Sequence, residues 1–114
     1  MDAFVIDRAD GRPDGEDWAE HYQDLPGAAN ISMILESTTE AGVGPRLHQH
    51  PYAETFLIRR GSATFTIGSE QREGHAGQIV VVPANTPHKF KTAIGGYEGV
   101  HIHASVRFIT EWLE

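Results

Sequence analysis

The chain has 114 residues, with 16 acidic against 9 basic side chains and no cysteine. This length suits one domain with a sizeable core, and the lack of cysteine excludes disulfides, thiolate metal ligands and a cysteine nucleophile. The formal charge of −7 argues against nucleic acid or an anionic membrane as a partner, since both select clustered lysine and arginine.

The N-terminal sequence MDAFVIDRAD lacks the basic and apolar regions of a secretory signal, and the sequence has no run of 18 apolar residues. We therefore expect a cytoplasmic protein. Seven histidines are the unusual feature of the composition, so their positions direct the search for a function.

Residues 1–29 are polar, with turn signals at residues 11–15 and at Pro26-Gly27. They predict an irregular or edge arm, in which residues 16–22 are the place for a short helical turn. Residues 30–38 alternate in polarity and predict a strand. One face of this strand carries Ile31, Met33 and Leu35, and the other carries Ser32, Ile34 and Glu36.

Glycine and proline divide the rest of the chain into short extended segments. Strands are predicted at residues 46–50, 54–60, 63–67, 78–82, 88–92 and 98–105, with a hairpin turn at 68–71. The continuous β-branched run at 78–82 predicts a strand covered on both faces. In the tail, Phe108 and Trp112 are spaced i,i+4, which predicts one or two helical turns.

Seven to nine short strands with almost no helix predict an all-β fold, an antiparallel sandwich or barrel, and a jelly roll suits this size. We expect a single domain over residues 1–114. Its parts would be an N-terminal arm (1–29), a barrel (30–106) and a C-terminal tail (107–114).

The strongest chemical signal is His48-Gln49-His50 followed by Glu54. Alternate side chains of a strand share a face, about 6.6 Å apart, so both imidazoles can converge on one ion. Glu54 opens the next antiparallel strand and can add a carboxylate oxygen, and His88 is the candidate fourth ligand. Such a set suits one divalent ion of Fe, Mn, Ni, Zn, Cu or Co, and is a poor match to Ca or Mg.

The segment GVGPRLHQHPYAETFLIRRG, residues 42–61, resembles the first sequence motif of the cupins. That motif is a glycine, five residues, His-x-His, three residues, Glu, six residues and a glycine. The positions in register are Gly42, His48, His50, Glu54 and Gly61.

The segment GQIVVVPANTPHKFKT, residues 77–92, resembles the second cupin motif, with Gly77, Pro83 and His88 in register. Asn85 stands where the family usually has glycine, and asparagine tolerates the left-handed conformation better than most residues. Thr92 stands where the family usually has asparagine, a change that removes no ligand.

The resemblance implies a small single-domain cupin, a double-stranded β-helix or jelly-roll barrel of two antiparallel sheets. It also implies one metal ion held by His48, His50, Glu54 and His88 at the open end, a small-molecule ligand or substrate, and a homodimer. Among the family's activities, dioxygenase is the leading hypothesis, because three histidines and one glutamate form the ligand set of many of its oxygenases. Isomerase, decarboxylase, lyase and cyclase remain open.

A non-catalytic small-molecule-binding or sensing cupin is the alternative. A storage role is disfavoured, since storage members of the family carry two barrels.

A second His-x-His motif, His101 and His103, lies on a late predicted strand. Because both residues share one face, they are candidates for a catalytic acid/base pair lining the barrel. In the alternative arrangement they face solvent or a dimer interface, while Val100, Ile102 and Ala104 face the core.

Four further side chains leave alternatives open. Tyr52 either faces the pocket or packs on its rim, and Phe108 and Trp112 are expected to form a hydrophobic lid or a dimer contact. Arg46 is either solvated or enters the pocket mouth, where it would bind an anionic substrate.

Overall fold

The computed structural model describes residues 3–8 and 17–114, and all of its regular structure is β. The strands are β1 (Trp18–Tyr22), β2 (Ser32–Thr38), β3 (His48–Gln49), β4 (Glu54–Ile67), β5 (Glu70–His75), β6 (Ile79–Val82), β7 (His88–His103) and β8 (Glu111–Trp112). The predicted all-β antiparallel fold is confirmed. The predicted turn at 11–15 lies outside the described residues. Within them, no helix has the length and hydrophobicity needed to cross a membrane.

Two long strands, β4 and β7, form the spine of the sheet. They pair antiparallel from Glu54 opposite His103 to Ile67 opposite His88, with two register shifts near Gly61. Bulges of this kind bend a strand and increase its twist. Gly61 permits the bend because its φ is +72° and a Cβ there would collide with the carbonyl oxygen of Gly96.

The other strands attach to this spine and curl the sheet. β2 pairs with the second half of β7 and carries β1 on its outer edge, giving the order β1-β2-β7-β3-β8. β5 and β6 pair with the two ends of β4. The inner face of the curled sheet therefore encloses both the core and the side chains of β3, β4 and β7 that bear the predicted chemistry.

Aromatic rings fill the core immediately below those side chains. Its buried members are Phe56, Ile58, Ala63, Phe65, Val82, Phe90 and Tyr97. The rings of Phe56 and Phe65 meet edge to face, with centroids 5.0 Å apart. Burying one such side chain contributes about 1.5–3 kcal/mol to the free energy of unfolding. The cluster therefore stabilises the part of the sheet that carries the polar side chains above it.

Two pairs of predicted strands are continuous in the structure. β4 runs through Gly61-Ser62, and β7 runs through Gly95-Gly96. Gly95 and Gly96 have positive φ, 97° and 88°. They bend the strand without ending its ladder, since Tyr97 still pairs with Gly61.

The predicted helical turns are wrong. In the tail, β8 pairs with β3, and the Leu113 N–H donates to the Leu47 carbonyl at 2.9 Å. Near the N-terminus, Trp18–Tyr22 is the edge strand β1, paired with β2. In both places ladder bonds to a neighbouring strand satisfy the backbone, which outweighs weak helical side-chain spacing.

The expectation that residues 78–82 are covered on both faces is also wrong. Ile79 is 64% exposed and Val81 57% exposed. Within the described residues β6 pairs with β4 alone, so it is an edge strand with one apolar face open.

Candidate metal centre

Four polar side chains from β3, β4, β7 and the turn after β3 meet on the inner face of the sheet. His48 and His88 are direct partners in the β3–β7 ladder, His50 follows β3, and Glu54 begins β4. One ligand atom of each lies within 4.8 Å of the others, and the four residues are only 3–6% exposed. The structure thus brings together the predicted quartet.

Backbone carbonyls fix the tautomer of the three imidazoles. In each ring Nδ1 lies 2.7–2.8 Å from a carbonyl oxygen. The pairs are His48 with Arg46, His50 with Ile109, and His88 with Thr86. Since a carbonyl oxygen only accepts, Nδ1 must carry the proton, and Nε2 of each neutral ring keeps its lone pair. This is the usual arrangement of metal-ligating histidine.

The Glu54 carboxylate faces the imidazole nitrogens at short range. Its Oε1 lies 3.0 Å from Nε2 of His88 and 3.2 Å from Nε2 of His50. Nε2 of His50 is buried without a hydrogen-bond partner. Lone pairs facing a carboxylate repel one another unless a positive charge lies between them. Three nitrogens and one oxygen around that charge fit a divalent transition metal ion.

Ionisation states in the cluster agree with metal binding. Burial opposes the charge on Glu54, but its contact with His103, whose Nε2 carries a proton, helps to hold the pKa of the carboxyl well below the usual value. Burial also lowers the pKa of His48. The carboxylate and the neutral imidazole are the forms that ligate.

His103 has the opposite tautomer. The Tyr52 hydroxyl accepts from the Ile109 N–H at 3.2 Å, so its own proton is free for Nδ1 of His103, 2.6 Å away. Nδ1 accepts, and the ring proton therefore resides on Nε2. Nε2 lies 3.2 Å from Oε2 of Glu54 without a well-aligned hydrogen bond. His103 thus holds an N–H beside the ligands.

His101 lies deeper than His103. It is 2% exposed, with Nε2 2.7 Å from the Tyr97 hydroxyl and Nδ1 3.5 Å from Oε1 of Glu36. Burial lowers the pKa of His101 to about 4, so the ring is neutral. Both histidines of the second His-x-His motif face inward, but His103 alone of the two lines the cavity described next.

A cavity of about 310 Å³ opens beside the quartet. Its lining residues are His21, Ile34, Glu36, Pro45, His48, His50, Glu54, Phe90, His103, Phe108, Thr110 and Trp112. The Trp112 ring lies 5.1 Å from the ring of His48, and Phe108 lies edge-on to His103 at 4.9 Å. The tail therefore forms one wall of the cavity.

Arg46 lies outside this cavity. The residue is exposed, and its guanidinium lies 5.0 Å from the centre of the Trp112 ring. Of the two alternatives for Arg46, the exposed one is observed, and Arg46 does not line the cavity.

The two departures from the second motif have structural roles. Asn85 adopts the left-handed φ of 57°, and its N–H donates to the His50 carbonyl at 2.7 Å. The Thr92 hydroxyl accepts from the Val43 N–H at 3.0 Å and donates to the Glu40 carbonyl at 2.7 Å. Both residues tie the second motif to the first.

Sequence reasoning missed Glu36 and the part played by Tyr97. The alternation of β2 places Glu36 on the same face as Ser32 and Ile34. This alternation could have indicated the position of Glu36, but a period of two residues does not say which face of a strand lies inside. The contact of Tyr97 with His101 depends on Gly99, where a Cβ would collide with the Tyr97 hydroxyl.

Comparison with known proteins identifies the motifs independently. A family model described as a cupin domain matches residues 35–96, more than half of the chain. A search of curated proteins finds no significant match.

Solved structures of Bacillus subtilis oxalate decarboxylase share the fold. One determined at pH 4.6 has a TM-score of 0.78 and 21% identity, covering 98% of this chain and 34% of that one. A single-residue variant has a TM-score of 0.73 and 23% identity, covering 90% and 29%. A third structure, from a study of that enzyme's Mn(II) centres, matches with a TM-score of 0.78 and 21% identity, over 98% of this chain and 34% of that one. The present chain spans about a third of that enzyme's length.

Proposed function

The chain belongs to the cupin family, and on that premise we propose that it is a metal-dependent enzyme acting on a small organic molecule. The observation that carries this proposal is the set of three Nε2 lone pairs and one carboxylate directed at a single point. That point borders a cavity. Structural metal sites are closed, whereas catalytic sites keep an open side. The adjoining cavity therefore favours a catalytic role for the metal centre.

His48, His50, Glu54 and His88 would hold one divalent ion of Fe, Mn, Co, Ni, Cu or Zn. When bound, such an ion supplies Lewis acidity toward ligand oxygens and, for Fe or Mn, redox chemistry with O₂. The protein supplies fixed lone pairs, and the rings of Phe90, Phe108 and Trp112 line the cavity beside them.

Among reaction classes we propose dioxygenation first, because the three-nitrogen, one-oxygen donor set suits redox-active ions. Decarboxylation is the competing class, as in the oxalate decarboxylase whose fold is similar. His103 is the proposed acid/base residue, since its Nε2–H lies at the cavity wall beside Glu54. His101 is one layer behind and acts as a positioning residue.

The test uses protein purified without chelators or a polyhistidine tag and loaded with one ion at a time under argon. O₂ uptake and CO₂ release are followed with a panel of small hydroxylated and carboxylated compounds. We expect metal-dependent O₂ uptake that His88→Gln abolishes and His75→Gln, a variant of an exposed histidine on β5, leaves unchanged.

CO₂ release without O₂ uptake would indicate that the protein is a decarboxylase and not a dioxygenase. A ligand that copurifies unchanged, with no turnover for any ion, would favour the binding or sensing alternative.

We also propose a homodimer located in the cytoplasm. The open apolar face of β6, with Ile79 and Val81 exposed, supports the dimer because such faces are commonly covered by a partner. Analytical ultracentrifugation should give a dimer for the wild type and a monomer for Val81→Lys. A monomeric wild type would contradict the dimer.

A further inference from the structure

We infer that the cavity selects an uncharged, partly apolar molecule carrying a hydroxyl or N–H group, and that Glu36 sets this selectivity. The inference rests on the proposed function, because it concerns the ligand of the same site. By this inference, the ligand of the present chain differs in charge from a small dicarboxylate.

The walls of the cavity offer apolar contact and no cationic side chain. Ile34, Pro45, Phe90, Phe108 and Trp112 are its apolar lining residues, and no lysine or arginine of the described residues lines it. Protein sites for carboxylates normally present arginine, lysine or convergent backbone N–H groups. A dianion entering here would lose hydration and find no cationic side chain in the walls, so a bound divalent ion would be its one positive partner among the described groups that line the cavity.

The fold places Glu36 on the inner face of β2 by its register with β7. Glu36 lies opposite Gly99, and the next inward pair is Ile34 with His101. Because Gly99 has no side chain, the direct ladder partner of Glu36 does not cover it. The Glu36 side chain is 25% exposed and lines the cavity.

A buried pair of side chains lies behind the carboxylate. The Tyr97 hydroxyl lies 2.7 Å from Nε2 of His101 and donates to it, so the proton of this neutral ring is on Nδ1. Nδ1 in turn faces Oε1 of Glu36 at 3.5 Å. Tyr97 is 0% exposed and His101 2%, so a buried, neutral N–H group faces Glu36 from below while the carboxylate borders the cavity.

The charges of the site lead to the same ligand class. Burial, and then the charge of Glu54, raise the pKa of Glu36 to about 6, so at pH 7.5 it is a carboxylate. Two carboxylates and a divalent ion sum to zero. An uncharged ligand preserves that balance and gives Glu36 a charge-assisted hydrogen bond, whereas a dicarboxylate leaves two uncompensated negative charges.

The experiment compares two probes on the zinc-loaded protein at pH 7.5 by isothermal titration calorimetry. The probes are benzamide, which carries N–H groups and stays uncharged when bound, and oxalate. We expect benzamide to bind at least tenfold more tightly. Glu36→Gln keeps the shape of the side chain but removes its charge. It should strengthen the binding of oxalate and so reduce the ratio of the two affinities at least threefold. Glu73→Gln removes an exposed carboxylate on β5 and should leave the ratio unchanged.

Zinc content and far-UV circular dichroism are measured on every variant before titration. Tighter binding of oxalate by the wild type, or an unchanged ratio in Glu36→Gln, overturns the inference while the metal site stands. A protein that takes up no zinc or other transition ion overturns the proposed function and this inference together.

Discussion

Removing the Tyr52 hydroxyl, which lies 2.6 Å from Nδ1 of His103 and 3.3 Å from Nδ1 of His50, should disturb the metal centre without replacing a ligand. Tyr52 is 9% exposed and its ring stacks on His50 at 4.9 Å, contacts that phenylalanine keeps. Tyr52→Phe loses the donor to Nδ1 of His103, a ring only 3% exposed. An unpaired buried polar group costs about 1–3 kcal/mol. We expect the free energy of unfolding to fall by about that amount.

The same substitution should change the tautomer of His103. With Tyr52 present, Nε2 carries the proton and faces Oε2 of Glu54 at 3.2 Å. Without it, the proton is free to move to Nδ1, and a lone pair then faces the carboxylate. Loss of a hydrogen-bonding partner that lies next to a metal ligand weakens metal binding about tenfold or more.

Three measurements follow this prediction. Denaturant unfolding gives the stability, competition with a chromogenic chelator gives the metal affinity, and ¹⁵N–¹H correlation spectra of the metal-free protein give the tautomers. We expect the wild-type spectrum to show Nε2–H for His103 and Nδ1–H for His48, His50 and His88.

The matched control is Tyr22→Phe, which loses a hydrogen bond to Glu20 on the edge strand and should leave metal affinity unchanged. If Tyr52→Phe matches the wild type in metal affinity and in the His103 tautomer, the hydroxyl does not direct that ring and the assignment is refuted.

Three further outcomes test the fold around the site. The pKa of His101 is about 4 in the folded protein, against an ordinary value of 6.5 for the unfolded chain. The stability that the neutral His101 ring contributes is therefore complete above pH 6.5 and is lost as pH falls toward 4. Metal-free wild type should lose about 3 kcal/mol more over this range than His101→Gln, as measured by urea unfolding. Thr92→Val removes both hydrogen bonds of the buried Thr92 hydroxyl, with the Val43 N–H and the Glu40 carbonyl, and should cost about 1–3 kcal/mol by the same assay, with metal stoichiometry unchanged. Gly61→Ala forces alanine to the φ of +72° against the Gly96 carbonyl and should cost at least about 1 kcal/mol; a melting temperature equal to the wild type would contradict the close approach.

The metal quartet could be predicted because its geometry is largely local. His48 and His50 share a face by the period of an extended chain, and Glu54 follows after one turn. The spacing of His88 matched a second known motif, and the ladder indeed sets it opposite His48. Asn85 was expected to tolerate a left-handed conformation, and its φ of 57° confirms this.

The surroundings of the quartet could not be predicted, because they depend on cross-strand register and on distant segments. His50 donates to Ile109, 59 residues away, and the tail that provides this carbonyl was predicted to be helical. In β2 the face with Ser32 and Glu36 lies inside, although the face with Met33 and Leu35 is more apolar. Alternation identifies two faces, but the position of the site decides which one is buried.

Metal stoichiometry measured by elemental analysis tests the central claim most directly. The wild type, exposed to each candidate ion and then desalted, should retain one ion per chain. Glu54→Gln and His88→Gln should retain much less, while His75→Gln should retain the full amount. A wild type that keeps no ion, or quartet variants that keep as much as the wild type, would contradict the account.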